Sequence, residues 1–191
     1  MSRTLVLIAI GALSVSMPQA QVPGGPVELS IGGSLQAVVF EEETIHLMSI
    51  PMRVGVFLSP PLSLELEGIL TGLDEELAEE TTWGYVVTGS LAYHIPISGQ
   101  VRPFVLAGYG FSDSWPLAGV LASGDFEDTT LGVLNLGAGV KAMVGERAAL
   151  RVEYRMQKFS GTYELPDFVG GGDTDIDFTI HSTMFGVSLF L

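Results

Sequence analysis

The stretch TLGVLNLGAGVKAMVGERAALRVEYRMQ, residues 130–157, alternates between apolar and polar side chains in each of its halves. Side chains along a β-strand point to opposite faces in turn, so this period of two predicts strands with one apolar and one polar face. Leu134, Leu136 and Val140 share the apolar face of the first half, as Leu150 and Val152 do in the second. Residues 145–147, Gly-Glu-Arg, suit a short turn. The stretch therefore predicts a hairpin.

The same alternation recurs along the rest of the chain. It predicts further strands at residues 27–40, 44–58, 62–71, 82–95, 103–112 and 179–191. Pro51 lacks the N–H that a sheet ladder needs, so we expect a bulge or irregular pairing there. Eight alternating strands joined in sequence favour an all-β, antiparallel up-and-down barrel, because closure removes exposed strand edges.

The predicted connections differ between the two ends of this barrel. Short connections at 59–61, 96–102 and 145–147 alternate with longer ones at 74–81, 113–129 and 159–177, although the first connection, at 41–43, is short. The connections at 41–43, 74–81, 113–129 and 159–177 hold 17 of the 22 acidic residues and no Lys or Arg. They predict an acidic rim at one end of the barrel.

Composition limits the class of protein. The chain has 191 residues, 47% of them hydrophobic and 16% charged, whereas about 25% is charged in an average soluble domain. Its net charge is nevertheless −14, and such an acidic chain is a poor partner for nucleic acid, whose phosphates need Lys and Arg. There is no Cys, which excludes disulfides and thiolate chemistry.

The N-terminus has the features of a secretory signal peptide. Arg3 precedes an apolar run at residues 5–15, and a small residue, Ala20, follows before Gln21. We expect residues 1–20 to be removed and residues 21–191 to form the barrel domain.

A soluble, lipocalin-like barrel would also alternate, with its apolar side chains inward. Here the polar face is mostly Gly, Ser, Thr and Asn, which suits a narrow interior better than a water-facing surface. The apolar face carries aromatic residues towards its ends, as the girdles of a membrane barrel do: Trp83, Tyr85, Tyr93, Tyr109 and Phe111. We therefore expect a transmembrane β-barrel.

The segments PFVLAGYGFS (103–112), NLGAGVKAMVGERAALRVEYR (135–155) and FGVSLFL (185–191) resemble the OmpA/OmpX-like family of small outer-membrane β-barrels. The resemblance implies an eight-stranded barrel in the outer membrane of a Gram-negative bacterium, surrounded by outer-membrane lipids. It also implies that the barrel insertion machinery reads the last strand, 179–191. Members usually end in Phe or Trp, whereas this chain ends in Leu191. We expect a monomer.

Parity places several charged side chains inside the barrel: Arg53, Glu65, Glu67, Lys141, Arg151, Glu153 and Arg155. Symmetric pairing about the turns sets Arg53 opposite Glu67, and Lys141 opposite Arg151, a like-charge pair that needs an anion between its members. We expect the acids of the third strand to reach the seventh across the lumen and close it. The alternative is a wet channel with separately solvated charges.

Candidate chemistry is sparse, and no cofactor is predicted. A lipid A deacylase would use His181 with Ser182 or Thr183, but Ser182 points away from His181 and no carboxylate is placed to orient the base. His46 shares the lipid face with His181, and His94 points inward. Residues 173–177, Asp-Thr-Asp-Ile-Asp, begin like a calcium loop but lack its Gly and closing Glu. We expect a non-enzymatic structural or surface-presenting barrel, with a small porin-like channel and a lipid-modifying enzyme as alternatives.

Overall fold

The computed structural model describes residues 25–40, 43–74, 82–97, 99–112, 130–165 and 172–191, with the backbone alone at 35–40, 43–47, 73–74, 82–83, 163–165, 172–174 and 176. In this part of the chain eight strands close into one antiparallel barrel in sequence order, which confirms the predicted fold. They are β1 (Val27–Phe40), β2 (Glu43–Ser59), β3 (Leu62–Asp74), β4 (Thr82–His94), β5 (Val101–Ser112), β6 (Leu131–Met143), β7 (Ala148–Leu165) and β8 (Gly172–Phe190). Within the same ranges, no helix has the length and apolar character needed to span a bilayer.

The hairpin that defines the fold forms as its alternation predicts. β6 pairs with β7 in one continuous register, from Met143 opposite Ala149 to Gly132 opposite Ser160. Residues 144–147 join the two strands at the same end of the barrel as the start of β1 and the end of β8, where the Leu191 N–H donates to the Val27 carbonyl at 2.8 Å. We call this end the turn end and the opposite end the loop end.

The apolar face of the barrel points outward. Leu64, Val105 and Tyr109 are 52%, 48% and 65% exposed, while polar neighbours such as Ser63 and Asn135 are fully buried inside. A soluble barrel would have the reverse arrangement. An apolar outer band and a polar interior are what a barrel in lipid requires.

The predicted loop at 159–177 is wrong, because most of it belongs to two long strands. β7 continues to Leu165 and β8 begins at Gly172, seven residues before the predicted start at 179, and the two remain paired up to Leu165 opposite Gly172. Beyond the lipid belt both faces of a hairpin meet water, so an acidic, Gly-rich sequence can form a ladder without apolar alternation. Glu43 likewise belongs to β2, and β5 begins at Val101.

Pro51 interrupts one ladder and not the other. Towards β3, Pro51 lies opposite Ile69 in unbroken register, so there is no bulge. Towards β1, pairing stops after Met52 opposite Ile31 and resumes, in the same register, at Ser49 opposite Ser34. The missing N–H of proline is therefore accommodated on the side that faces β1.

Closure between the first and last strands is short. β1 pairs with β8 from Glu28 opposite Phe190 to Gly33 opposite Phe185, in the half of the barrel nearer the turn end. Both strands continue beyond that point, β1 to Phe40 and β8 back to Gly172, but the described residues pair no further. The seam between β1 and β8 is thus sealed by hydrogen bonds over part of its height.

Candidate functional site: the lumen charge cluster

A cluster of charged side chains fills the middle of the barrel. The structure brings all seven charged residues predicted inside together with an eighth, Glu28, and each is at most 7% exposed. The cluster consists of Glu28 on β1, Arg53 on β2, Glu65 and Glu67 on β3, Lys141 on β6, and Arg151, Glu153 and Arg155 on β7. Four carboxylates face four cations, so the cluster is balanced in formal charge.

The cluster crosses the lumen from β3 to β7, which lie on opposite walls of the barrel. Glu65 receives two hydrogen bonds from the Arg151 guanidinium, Nη1 to Oε1 at 3.1 Å and Nη2 to Oε2 at 2.9 Å. Glu67 receives one from Arg155. Bidentate arginine–carboxylate pairs fix geometry as well as charge, so these contacts tie the two walls together.

Glu67 and Glu153 join the arginines into one network. Glu67 accepts from Arg53, its register partner on β2, as well as from Arg155. Glu153 accepts from Arg151 Nε at 2.8 Å and from Arg155 Nε at 2.5 Å, and its Oε2 lies 3.4 Å from Arg53 Nη1. Each of these arginines therefore has at least two acidic partners.

The like-charge pair of the central hairpin is separated by acids, as the register requires. Lys141 lies opposite Arg151 on adjacent strands. Lys141 Nζ donates to Glu28 Oε2 at 2.6 Å and to Glu65 Oε1 at 3.5 Å, while Arg151 Nη1 lies 3.7 Å from Glu28 Oε1. Glu28 stands on the polar face of the first predicted strand, and that position was the signal by which the sequence could have added it to the cluster.

Apolar layers, which the alternation of the sequence did not predict, lie on both sides of the charge cluster. On the loop side the buried layer comprises Ile69, Val86, Leu131, Val133, Phe159, Ile180 and Met184. On the turn side it comprises Phe57, Ala92, Phe104, Ala149 and Phe190. The cluster is thus shielded from water at both ends of the lumen.

Phe104 links the turn-side layer to the cluster. Its ring centroid lies 4.3 Å from Arg151 Cζ and 5.1 Å from Lys141 Nζ, which are cation–π distances. Gly139 makes room for the ring, because a Cβ at that position would lie 2.8 Å from Phe104 Cζ. A cavity of about 10 Å³, lined in part by Pro51, Arg53 and Glu153, has room for about one water.

The inward histidine also has a partner that the sequence did not predict. His94 Nε2 shares a hydrogen bond of 3.0 Å with Ser63 Oγ, and both side chains are buried. The ring centroid of His94 lies 5.0 Å from that of Phe57. The pair therefore packs within the turn-side layer of the lumen.

The residues predicted as aromatic girdles lie on the outer surface where their side chains are described. Tyr85, Tyr93, Tyr109 and Phe111 are all exposed. Trp83 lies on β4, but its side chain falls outside the described residues, as does that of His46.

The described residues do not form a catalytic triad or a calcium loop at the candidate positions. His181 is exposed on the outer face and Ser182 is buried on the inner face, as parity predicts. His181 Nδ1 shares a 2.7 Å hydrogen bond with the Tyr154 hydroxyl rather than with a carboxylate. Residues 173–177 lie in β8, so their backbone is extended and not the calcium loop that their spacing suggested. The described residues contain no group of three or more potential metal ligands.

A closed eight-stranded barrel with an apolar exterior and a filled polar lumen defines the class of small membrane-spanning β-barrels. The chain belongs to the family described as "Outer membrane protein beta-barrel domain", whose model matches residues 5–188. It is accordingly a bacterial outer-membrane protein, as predicted. A comparison with curated proteins finds no match.

Solved structures support the fold. The crystal structure of Neisserial surface protein A has a TM-score of 0.62 and 12% identity, over 86% of this chain and 97% of that one. Outer Membrane Protein W of E. coli has a TM-score of 0.53 and 13% identity, over 90% and 100%. The N-terminal β-barrel domain of Pseudomonas aeruginosa OprF has a TM-score of 0.51 and 16% identity, over 88% and 99%. At these identities the likeness concerns the fold alone.

Proposed function

We propose that this protein is a closed, non-enzymatic outer-membrane barrel that presents acidic loops outside the cell. The observation that carries the proposal is the charge-balanced cluster sealed between two apolar layers. An interior filled by paired side chains leaves no continuous water path, and an eight-stranded barrel is just narrow enough to be filled in this way.

The distribution of charge supports the surface-presenting role. The lumen cluster is neutral, whereas 17 of the 22 acids stand in the four loop-end connections of the sequence. Most of these connections, at 41–42, 75–81, 113–129 and 166–171, lie outside the described residues. The net charge of −14 is therefore concentrated at the loop end, which we place outside the cell because the opposite end carries the short turns.

Conductance tests the closed lumen against the small porin-like channel. Purified protein is reconstituted in planar bilayers and single-channel current is recorded for the wild type and for Phe104→Ala, which removes a ring from the turn-side layer. We expect no steady current from the wild type. Reproducible wild-type current steps of one size would establish the channel and overturn the closed barrel.

Mass spectrometry of lipid A from cells with and without the protein tests the lipid-modifying alternative. We expect the same lipid A masses in both. Ser182 lies on the opposite face of the barrel wall from His181, and Thr183, which shares the outer face, lies near a His181 that bonds the Tyr154 hydroxyl rather than an orienting carboxylate. A mass change that depends on the protein and disappears in His181→Phe would replace the proposal with an enzymatic function.

We further propose that outer-membrane lipids surround the barrel, that the insertion machinery binds the last strand, β8, and that the protein is a monomer. The proposed role of β8 in insertion is supported by its apolar outward face, which consists of Phe185, Val187, Leu189 and Leu191. Phe185→Asp and Leu189→Asp together should reduce the amount assembled in the outer membrane, while Phe190→Leu, on the inner face, should reduce it less. Equal amounts of the wild type, the double Asp variant and Phe190→Leu in the outer membrane would argue against this role for the outer face of β8.

A further inference from the structure

The apolar outer belt is interrupted on β7 and β8. Outward side chains on β8 change from apolar at Phe185 to polar towards the loop end. On β7 the outward residues Tyr154 and Lys158 are polar, whereas their partners on β6, Ala138 and Leu134, are apolar. The polar outward residues form what we call the β7–β8 polar patch: Tyr154, Lys158, Asp177, Thr179, His181 and Thr183.

The β7–β8 polar patch is rich in hydrogen-bond donors. Tyr154 and His181 share a 2.7 Å hydrogen bond, and their ring centroids lie 5.9 Å apart. Lys158 Nζ lies 3.3 Å from Asp177 Oδ2, with side chains 47% and 61% exposed. A phenol, an imidazole, an ammonium and the hydroxyls of Thr179 and Thr183 thus accompany the carboxylate of Asp177. Asp175, on the same face further towards the loop end, accepts from Thr162. Such a donor surplus suits a ligand that supplies acceptor oxygens.

The hydrogen-bonded pairing of β1 with β8 ends at the same level as the apolar residues on the outer face of β8. The β1–β8 ladder stops at Gly33 opposite Phe185. In the same register residues 179–183 of β8 would face 35–39 of β1, yet these pairs do not form within the described backbone. Hydrocarbon offers no hydrogen bonds to backbone groups on an open strand edge, so this part of the seam needs a polar environment.

We propose that the β7–β8 polar patch and the open seam beside it bind the phosphate-bearing headgroup of a lipid in the outer leaflet. The headgroup region then descends to the level of Phe185 on this side of the barrel. The inference uses the orientation proposed above, with the loop end outside, but not the closed lumen. Phosphate oxygens accept from Lys158 and from the one donor that the Tyr154–His181 pair has left beside its shared hydrogen bond. Ionised acceptors form the stronger hydrogen bonds.

The ligand is a lipid rather than a free anion because of where the patch lies. It faces the bilayer directly above apolar residues, so a lipid is held by its acyl chains while its headgroup meets the patch. A free phosphate would approach a chain whose net charge is −14 without that contribution.

Native mass spectrometry of the refolded protein in detergent tests the site with two probes, lipid A and its enzymatically dephosphorylated form. We expect the wild type to retain lipid A in preference to the dephosphorylated probe. Tyr154→Phe, His181→Phe and Lys158→Met should each reduce retention of lipid A by about tenfold, the factor that corresponds to the loss of roughly one charged hydrogen bond. The matched control is Tyr93→Phe, since Tyr93 is exposed on the outer face near the turn end.

Three outcomes would overturn the proposal. Equal retention of both probes by the wild type would exclude phosphate recognition. Unchanged retention of lipid A in all three patch variants would exclude this location. Displacement of lipid A by millimolar inorganic phosphate, with phosphate itself retained on the protein, would identify a free anion as the ligand.

Fluorescence gives a second test that does not depend on retention of a lipid. Because the chain has no Cys, single-cysteine variants can carry an environment-sensitive bimane label at one chosen position. Thr183→Cys and Ala138→Cys lie on either side of Tyr154 on neighbouring strands, both outward. In vesicles of phosphatidylcholine with lipid A, we expect polar, quencher-accessible emission at 183 and apolar emission at 138. Apolar emission at both positions would show that hydrocarbon covers the patch and refute the proposal.

Discussion

Glu67 is the residue at which two parts of the lumen cluster meet, since it accepts from Arg53 beside it and from Arg155 across the barrel. Removing one partner of a desolvated pair leaves the other charge buried and uncompensated. We therefore expect Glu67→Gln and Arg155→Met each to lower the free energy of unfolding by about 3–5 kcal/mol. The double variant should lose less than the sum. Urea unfolding in lipid vesicles, followed by tryptophan fluorescence, measures all three.

The exposed pair Lys158–Asp177 is the control for that cycle. Exposed ion pairs are screened by water, so Lys158→Met should change the free energy of unfolding by roughly 0–1 kcal/mol. Additive effects of the two lumen substitutions, each as small as that of the exposed control, would instead indicate separately solvated charges in a wet interior.

Val140 tests the assignment of faces at the level of one side chain. It is outward on β6, next to inward Lys141, so both positions have the same depth but opposite surroundings. Val140→Arg should cost about 2–4 kcal/mol because it brings a charge into the lipid belt. Glu146→Arg, at the exposed turn, should have little effect. A refolding titration that showed equal effects would contradict the inside–outside assignment.

Parity placed seven of the eight cluster residues inside, because a strand allows only two faces. Glu28 stands on the same polar face but was left out of the predicted cluster. Partners on adjacent strands also follow from the sequence once the turn is known, as with Arg53 and Glu67. The partners across the lumen depend on strand tilt and side-chain reach, which alternation does not encode. Phe104 shows the same limit, since its place against Arg151 depends on the space left by Gly139 on another strand.

At the scale of elements, β7 and β8 show where pattern reasoning fails. The alternation rule detects a strand by its contrast between lipid and lumen, and that contrast disappears where both faces are wet. Asp175 and Asp177 therefore suggested a loop, although they lie on a strand paired along β7. The β1–β8 seam could not be predicted either, because the extent of a ladder between the two ends of the chain has no local signal.

The extension of the β7–β8 hairpin gives a prediction about an element. Its last pairs, from Thr162 opposite Asp175 to Leu165 opposite Gly172, lie beyond the stacked rings of Phe159 and Phe178 that line the loop-side layer. Replacing residues 162–175 by a short Asn-Gly turn should leave refolding yield unchanged and change the free energy of unfolding by less than about 1 kcal/mol, as for surface changes generally.

The matched comparison is a larger deletion, which shortens the hairpin further and removes Phe159 and Phe178 as well. These rings are part of the buried layer, and truncating a buried aromatic residue costs about 3–5 kcal/mol. If trimming 162–175 alone destabilised the barrel as strongly, the extension would be part of the core rather than an addition above it.

At the scale of the whole molecule, the lumen cluster is neutral, whereas 17 of the 22 acids stand in the sequence connections that we propose form an acidic loop end. Because the lumen cluster is neutral, the charge at the loop end should come from the loop acids alone. The loop end is then expected to bind cationic molecules and not anionic ones. Oriented in a supported bilayer, the protein should bind a short oligolysine peptide at low salt and lose it as salt rises, since exposed charges are screened beyond about 8 Å at physiological ionic strength. Surface plasmon resonance measures this binding, and double-stranded DNA should give no signal under the same conditions.

Replacing Glu75, Glu76, Glu79 and Glu80 by Gln should weaken peptide binding, while Glu67→Gln should not. Peptide binding that is insensitive to salt, or unaffected by the loop replacements, would show that the acids in the sequence do not form an accessible acidic end.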